Sequence, residues 1–207
     1  MELIMVRHAL PERKELDDGV ADPGLTADGH RQAELLAGYL GTERVDAVYT
    51  SPLARARETA APLERELRMT ATVVDDVAEF DRNASEYIPI EELKAAGDPR
   101  FYDLTSDAWT GNDPFDDFDR RVTVAIDGLI DAHAGHTIVV VCHGGVINLV
   151  LARVLGIDQE GPGFFYPNYT SIHRVAASRS GVRSIVTINE TAHLRNTGLP
   201  MGLFQKG

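Results

Sequence analysis

Arg7 and His8 stand side by side where the apolar run ELIMV at 2–6 stops. Both side chains are costly to bury and neither helps a strand pack, so their position asks for a ligand or a reaction. A second histidine, His143, follows the apolar run TIVVVC at 137–142 and precedes Gly144 and Gly145. Arg55 lies in TSPLAR, one helical turn beyond Ser51, and Glu79 lies in VAEFD, after the run TATVV at 70–74. Arginine supplies a planar fork of donors matched to phosphate oxygens, and a helix start adds unpaired backbone N–H groups. Two arginines, one histidine and the helix start after His143 would therefore make a small oxyanion cradle. The other imidazole turns binding into catalysis, because a neutral imidazole can attack phosphorus and carry the phosphoryl group covalently. A carboxyl group would then protonate the departing oxygen and later activate water. On residue type alone, Asp75, Asp76, Glu79 and Asp81 all qualify for that role.

These residues converge only if the elements before them share a sheet. ELIMV, VDAVY at 45–49, the weaker TATVV and TIVVVC read as strands. Between them LTADGHRQAELLAGYLG offers Thr26 as N-cap, with Ala33, Leu36, Ala37 and Leu40 on one helical face and Gly41 closing it. The next helix has Ser51 as candidate cap and Pro52 at its first helical position, with Pro62 expected to kink or shorten it. Phe118, Val122, Ala125 and Leu129 mark a long helix ending near Gly135, and HGGVINLVLARVLG marks another stopping at Gly156. Two runs at 169–176 and 182–188 read as a closing hairpin. Strands alternating with helices imply an α/β fold, a three-layer α/β/α sandwich on a mostly parallel central sheet, and such sheets bind ligands beyond their strands' carboxyl ends.

We read the whole chain, 1–207, as one domain, with an irregular insertion at about 75–114 on the substrate side. That insertion has a short helical piece near 89–96 and scattered aromatics, Tyr87, Phe101, Tyr102 and Trp109. Trp109, Phe115 and Phe118 are readable either as core or as a lid. Arg13, Lys14, Arg82, Tyr87, Arg100 and Trp109 are candidates to line the pocket.

A net charge of −12 opposes binding to nucleic acid over most of the surface, so an anionic ligand must be small and held locally. No apolar stretch reaches membrane-spanning length, and no basic segment precedes a long apolar run at the start, so a soluble, cytoplasmic protein is expected. The single cysteine, Cys142, rules out an internal disulfide and should face away from the site as a buried apolar residue. The remaining histidines, at 30, 133, 136, 173 and 193, lack ligand spacing, so no metal and no cofactor is expected. Exposed strand edges and helices leave a homodimer open.

The ordered motifs resemble the histidine phosphatase (phosphoglycerate mutase-like) superfamily. Its RHG is RHA at 7–9, its LTxxGxxQA is LTADGHRQA at 25–33, and its TSxLxRAxxTA is TSPLARARETA at 50–60. Its HGG after an apolar strand is VVVCHGGVIN at 139–148, and its NxTxHL is NETAHL at 189–194. The resemblance implies His8 as phosphorylated nucleophile, Arg7, Arg55 and His143 as phosphate ligands, a backbone N–H from Gly144, and Glu79 as proton donor. It departs at Ala9, which replaces a glycine, and at Lys14, which takes the place of a phosphate-touching asparagine and is expected to hold phosphate as a point charge. The WEG segment that follows the acid in many members is replaced by DRNASEYIPIEE. The implied activity is that of a metal-independent, histidine acid-type phosphatase acting on small phosphate monoesters. The alternatives are mutase-type phosphoryl transfer of the phosphoglycerate kind, and a non-catalytic module that binds a phosphorylated ligand.

Overall fold

A computed structural model describes residues 1–104, 113–158 and 163–204. In chain order its elements are β1 (Glu2–Arg7), β2 (Lys14–Glu15), α1 (Ala27–Leu40), β3 (Ala47–Thr50), α2 (Ala54–Leu67), β4 (Thr72–Val73), β5 (Glu86–Tyr87) and α3 (Ile90–Ala96). They continue with α4 (Arg100–Leu104), α5 (Phe115–Ala132), β6 (Thr137–Cys142), α6 (Gly144–Leu155), β7 (Ile172–Ala177) and β8 (Arg183–Glu190). Six strands form one sheet in the order β4-β3-β6-β1-β7-β8. The first four run parallel, and β7 and β8 run antiparallel as the closing hairpin.

The sequence explains why the sheet is covered on both faces. Successive strand residues point to opposite sides, and in β1 and β6 both sides are apolar. Leu3, Met5, Ile138, Val140 and Cys142 pack with Phe118, Val122 and Ile126 of α5 and Val146 of α6. Their neighbours Ile4, Val6, Val139 and Val141 pack with Leu36 and Leu40 of α1 and Ala56, Ala60 and Leu63 of α2. Each fully buried aliphatic side chain contributes about 1.5–3 kcal/mol relative to exposure, so the two layers fix the register of the central strands. Cys142 lies on the α5/α6 face as expected, and Phe118 is core, with the half-buried Phe115 packed beside it. Trp109 lies outside the described residues.

Four local expectations are corrected. The helix after TSP begins at Ala54 with Leu53 at its cap, because Ser51 is engaged elsewhere. It neither stops nor shortens at Pro62 but runs on to Leu67, with Pro62 buried. The third strand shrinks to Thr72–Val73, whose side chains are exposed and so gain little from joining the sheet edge. The described part of the insertion, 75–104, is more ordered than expected: β5 pairs with β2 as a two-stranded ribbon and α4 forms, beside the helical piece expected near 89–96, which is α3.

The register then aligns the chemistry. Arg7 pairs with Cys142 across β1 and β6, and Thr50 of β3 pairs with Val141, so His8, Ser51 and His143 leave the sheet side by side. No described helix is long and apolar enough to cross a membrane.

Candidate active site

His8 is held by its backbone first. Its N–H donates to the Cys142 carbonyl (2.9 Å), and the Ala9 N–H that follows donates to Thr59 Oγ1 (2.9 Å). The LTADGHRQA motif then shapes the next turn. Thr26 caps α1 through the Gly29 N–H and also donates to the Leu10 carbonyl, while Gln32 Oε1 accepts the Leu10 N–H. Gly29 is required there, because a Cβ would stand 2.1 Å from the Leu10 carbonyl oxygen. The motif therefore builds the floor beneath the Arg7-His8 loop.

His8 Nδ1 lies 2.8 Å from the Ala9 carbonyl oxygen. A carbonyl only accepts, so Nδ1 carries the proton and the lone pair resides on Nε2. Burial, with Arg55 and Arg7 adding to it, lowers the His8 pKa well below the ordinary histidine value. The imidazole is thus neutral, and nucleophilic at Nε2, across the physiological range.

Around it stand two arginines and a second imidazole, His143, whose pKa burial, with Arg55 adding to it, lowers well below the ordinary histidine value. Arg7 Nη1 donates to the Pro167 carbonyl (2.6 Å) and its guanidinium lies 4.3 Å from the centre of the Tyr169 ring. Arg55, almost wholly buried, is paired with Asp81 (2.7 Å) and lies 4.6 Å from the Tyr87 ring. The His143 ring centre is 5.2 Å from that of His8. His143 Nε2 meets Ser51 Oγ at 2.7 Å, and Ser51 Oγ also accepts the Leu53 N–H (3.3 Å), which accounts for the displaced helix start. Arg7 Nε, Arg55 Nε and His143 Nδ1 are buried without protein partners. Leaving such nitrogens unpaired is costly, and a phosphoryl oxygen is an acceptor suited to them.

Glu79 is buried beside this group. Its Oε2 accepts the Gly145 N–H (2.7 Å) and its Oε1 the Phe80 N–H (3.2 Å). Burial, reinforced by Asp81, raises its pKa to about 7 against those two bonds and Arg55. The other acids differ: Asp75 and Asp76 are exposed, and Asp81 is committed to Arg55. Arg121 of α5 pins the acid-bearing loop by donating to the carbonyls of Asp76 (2.8 Å), Ala78 (2.6 Å) and Glu79 (3.2 Å). A Cβ on Gly145 would meet Glu79 Oε1 at 2.3 Å and Phe80 Cδ1 at 2.9 Å. Gly145→Ala should therefore displace the carboxyl and lower kcat roughly 100-fold, the usual cost of about 1 Å of misplacement. Circular dichroism and thermal melting would confirm a retained fold, and a rate within twofold of wild type would contradict the positioning role.

Arg7, His8, Arg55, Glu79, Gly144 and Gly145 all line one cleft of about 640 Å³. His143 sits fully buried behind it. Lys14 does not line it: as part of β2 its ammonium donates to the Asp22 carbonyl (3.2 Å), and its backbone pairs with Tyr87. Tyr87 and Arg100 line the cleft, whereas Arg13 and Arg82 do not. Sequence reasoning overlooked Tyr169, Arg121 and Asn148. Asn148, whose Nδ2 donates to the Gly144 (2.9 Å) and Phe165 (3.0 Å) carbonyls, had a signal in the VIN that follows HGG. Tyr169 and Arg121 had none, since each acts through a long-range contact.

In chemical terms the rim presents a nucleophilic imidazole within an anion cradle, beside an acid poised near neutrality. The chain belongs to the histidine phosphatase superfamily (branch 1), whose family model matches residues 3–191. It is 33% identical over 202 residues to a bifunctional protein of Mycobacterium tuberculosis, covering 93% of this chain but 54% of that one, so it spans about half the length of that relative. It is 28% identical over 203 residues to phosphoserine phosphatase 1 of Hydrogenobacter thermophilus, covering 94% of each. Among solved structures, phosphoserine phosphatase of Entamoeba histolytica in complex with 3-phosphoglyceric acid superposes with a TM-score of 0.73 at 24% identity, covering 93% of this chain and 98% of that one. Mycobacterial glucosyl-3-phosphoglycerate phosphatase with inorganic phosphate gives 0.72 at 22% identity, covering 93% and 98%.

Proposed function

We propose that the protein hydrolyses small phosphate monoesters through a phosphohistidine on His8, without a metal ion. His8 Nε2 attacks phosphorus in line as the bond from phosphorus to the ester oxygen breaks. Arg7, Arg55, His143 and the Gly144 N–H hold the equatorial oxygens, and the Glu79 carboxyl gives its proton to the departing oxygen, releasing the alcohol. In the second half, water attacks phosphorus, Glu79 takes its proton, and His8 leaves as neutral imidazole with release of inorganic phosphate. The observation that carries this reading is the Nδ1–H of His8 donating to the Ala9 carbonyl, which commits the lone pair to Nε2 beside two arginines.

The rival within enzymes is a mutase. It needs a second anion site so that a bisphosphorylated intermediate can reorient, and Lys14, the residue best placed in sequence to supply one, is spent on the Asp22 carbonyl. Incubated with 2,3-bisphosphoglycerate and 3-phosphoglycerate, the protein should release inorganic phosphate faster than it forms 2-phosphoglycerate. Isomer formation exceeding phosphate release would favour the mutase. Absence of hydrolysis across a broad panel of phosphomonoesters would instead favour a binding module.

A further inference from the structure

Beyond the phosphate cradle the cleft is lined by Ile88, Ile90, Leu93, Phe165 and Tyr166. Exposed aromatic rings continue outward from there. Tyr166 is 45% and Phe204 64% exposed, and they meet edge to face at 5.0 Å; Phe164, 68% exposed, meets Phe165 at 5.1 Å. Soluble proteins seldom leave such rings clustered unless something apolar uses them. The Phe165 backbone is fixed at both polar groups by Asn148, which accepts its N–H (2.6 Å) and donates to its carbonyl (3.0 Å), so this wall is preorganised.

Among the described residues that line the cleft, charge is arranged in the opposite sense to what an anionic alcohol would need. Among the described lining residues the cations are Arg7, Arg55 and Arg100. The first two belong to the cradle. Arg100 donates Nη1 to both Glu86 oxygens (3.0 and 2.9 Å) and Nε and Nη2 to Asp98 (3.0 and 2.8 Å). One guanidinium thus faces two carboxylates, and the trio is net negative. The chain carries no lysine or arginine at 105–112 or 159–162, Lys206 lies outside the described residues, and beyond the lining the Lys94 ammonium stands 4.9 Å from the centre of the Phe204 ring.

We propose that the preferred substrates are phosphomonoesters of uncharged apolar or aromatic alcohols, and that carboxylate-bearing esters such as phosphoserine and 3-phosphoglycerate are poor ones. This inference rests on the phosphatase reading above. The alcohol part packs against Phe165, Tyr166 and the isoleucines, while a carboxylate in the cleft would face Glu86, whose partner Arg100 is already held by Asp98 as well.

The test compares kcat/KM for four alkyl phosphates, so that leaving-group reactivity does not masquerade as recognition: 2-phenylethyl phosphate, ethyl phosphate, phosphoserine and 3-phosphoglycerate. 2-Phenylethyl phosphate should exceed each carboxylate-bearing ester at least tenfold and ethyl phosphate severalfold. Equal or better turnover of phosphoserine or 3-phosphoglycerate overturns the inference while leaving the phosphatase reading intact. No turnover of any of the four defeats both. Two variants probe the walls separately. Tyr166→Ala, at an exposed site, should raise KM for 2-phenylethyl phosphate about tenfold, and an unchanged KM overturns the aromatic subsite. Glu86→Gln, which loosens Arg100, should raise kcat/KM for 3-phosphoglycerate severalfold relative to 2-phenylethyl phosphate, and an unmoved ratio overturns the electrostatic exclusion.

Discussion

Replacement of His8 by alanine is expected to lower kcat for any phosphomonoester by about 10⁵-fold or more, the scale seen when a covalent nucleophile is removed. The arrangement explains why nothing nearby substitutes. His143 Nε2 is tied to Ser51 and its ring is fully buried, and the single cysteine lies in the α5/α6 core layer with its thiol pKa raised by burial. Binding should survive, because Arg7, Arg55 and the Gly144 N–H do not depend on the imidazole. The variant should therefore still bind vanadate or inorganic phosphate, read by calorimetry. Turnover within a hundredfold of wild type would remove His8 from the role of nucleophile.

The second large effect is at Glu79. Glu79→Gln keeps an oxygen for the Gly145 N–H but has no proton to give to a departing alkoxide. It should lower kcat for alkyl phosphates by about 10²–10⁴-fold, the range typical of general acid catalysis. Aryl phosphates, whose oxygens depart without help, should suffer much less in the first step. The pH profile carries the same signature. Glu79 is protonated below about 7, and burial holds the His8 pKa well below the ordinary histidine value, so kcat/KM for an alkyl ester should decline as pH rises through about 7. That limb should vanish in the Gln variant.

Stability should move the other way. The folded chain holds the Glu79 proton more tightly than the unfolded one, whose ordinary value is 4.5, so this group's contribution is full below about 4.5 and is lost as pH rises through about 7. At pH 8 the ionised buried carboxylate costs on the order of 3 kcal/mol at most. Glu79→Gln should accordingly melt higher than wild type at pH 8 and by a smaller margin at pH 5, followed by calorimetric scans. Equal melting shifts at both values would show that the carboxyl is not perturbed as described.

How far the sequence carried this account follows from where each interaction is encoded. Strands β1 and β6 were readable because both their faces are apolar, and a parallel sheet places the residues after its strands on one edge. The sequence alone therefore places Arg7, His8 and His143 together. Ser51 could not, since a serine before a proline reads equally well as a helix cap, and only the third dimension puts His143 Nε2 at 2.7 Å. Pro62 misled because its local cost was set against no knowledge of the packing of Leu63 and Ala60 on the sheet, which carries the helix through. Lys14 stands in the sequence at the place of a phosphate-touching asparagine, yet in the fold it lies in a ribbon paired with Tyr87, and its ammonium donates to the Asp22 carbonyl. The Tyr166–Phe204 contact and the Arg100–Glu86 pairing are beyond reach, because each joins segments more than ten residues apart that carry no periodic signal.

A phosphoryl group on His8 Nε2 can be trapped by rapid quench of the enzyme with an excess of ³²P-labelled monoester. The expected result is an acid-labile, base-stable label that forms within a turnover, resides on the peptide containing His8, and is absent from His8→Ala. Label on another residue, or full turnover with no trapped label when product release of the alcohol shows a burst, would contradict it.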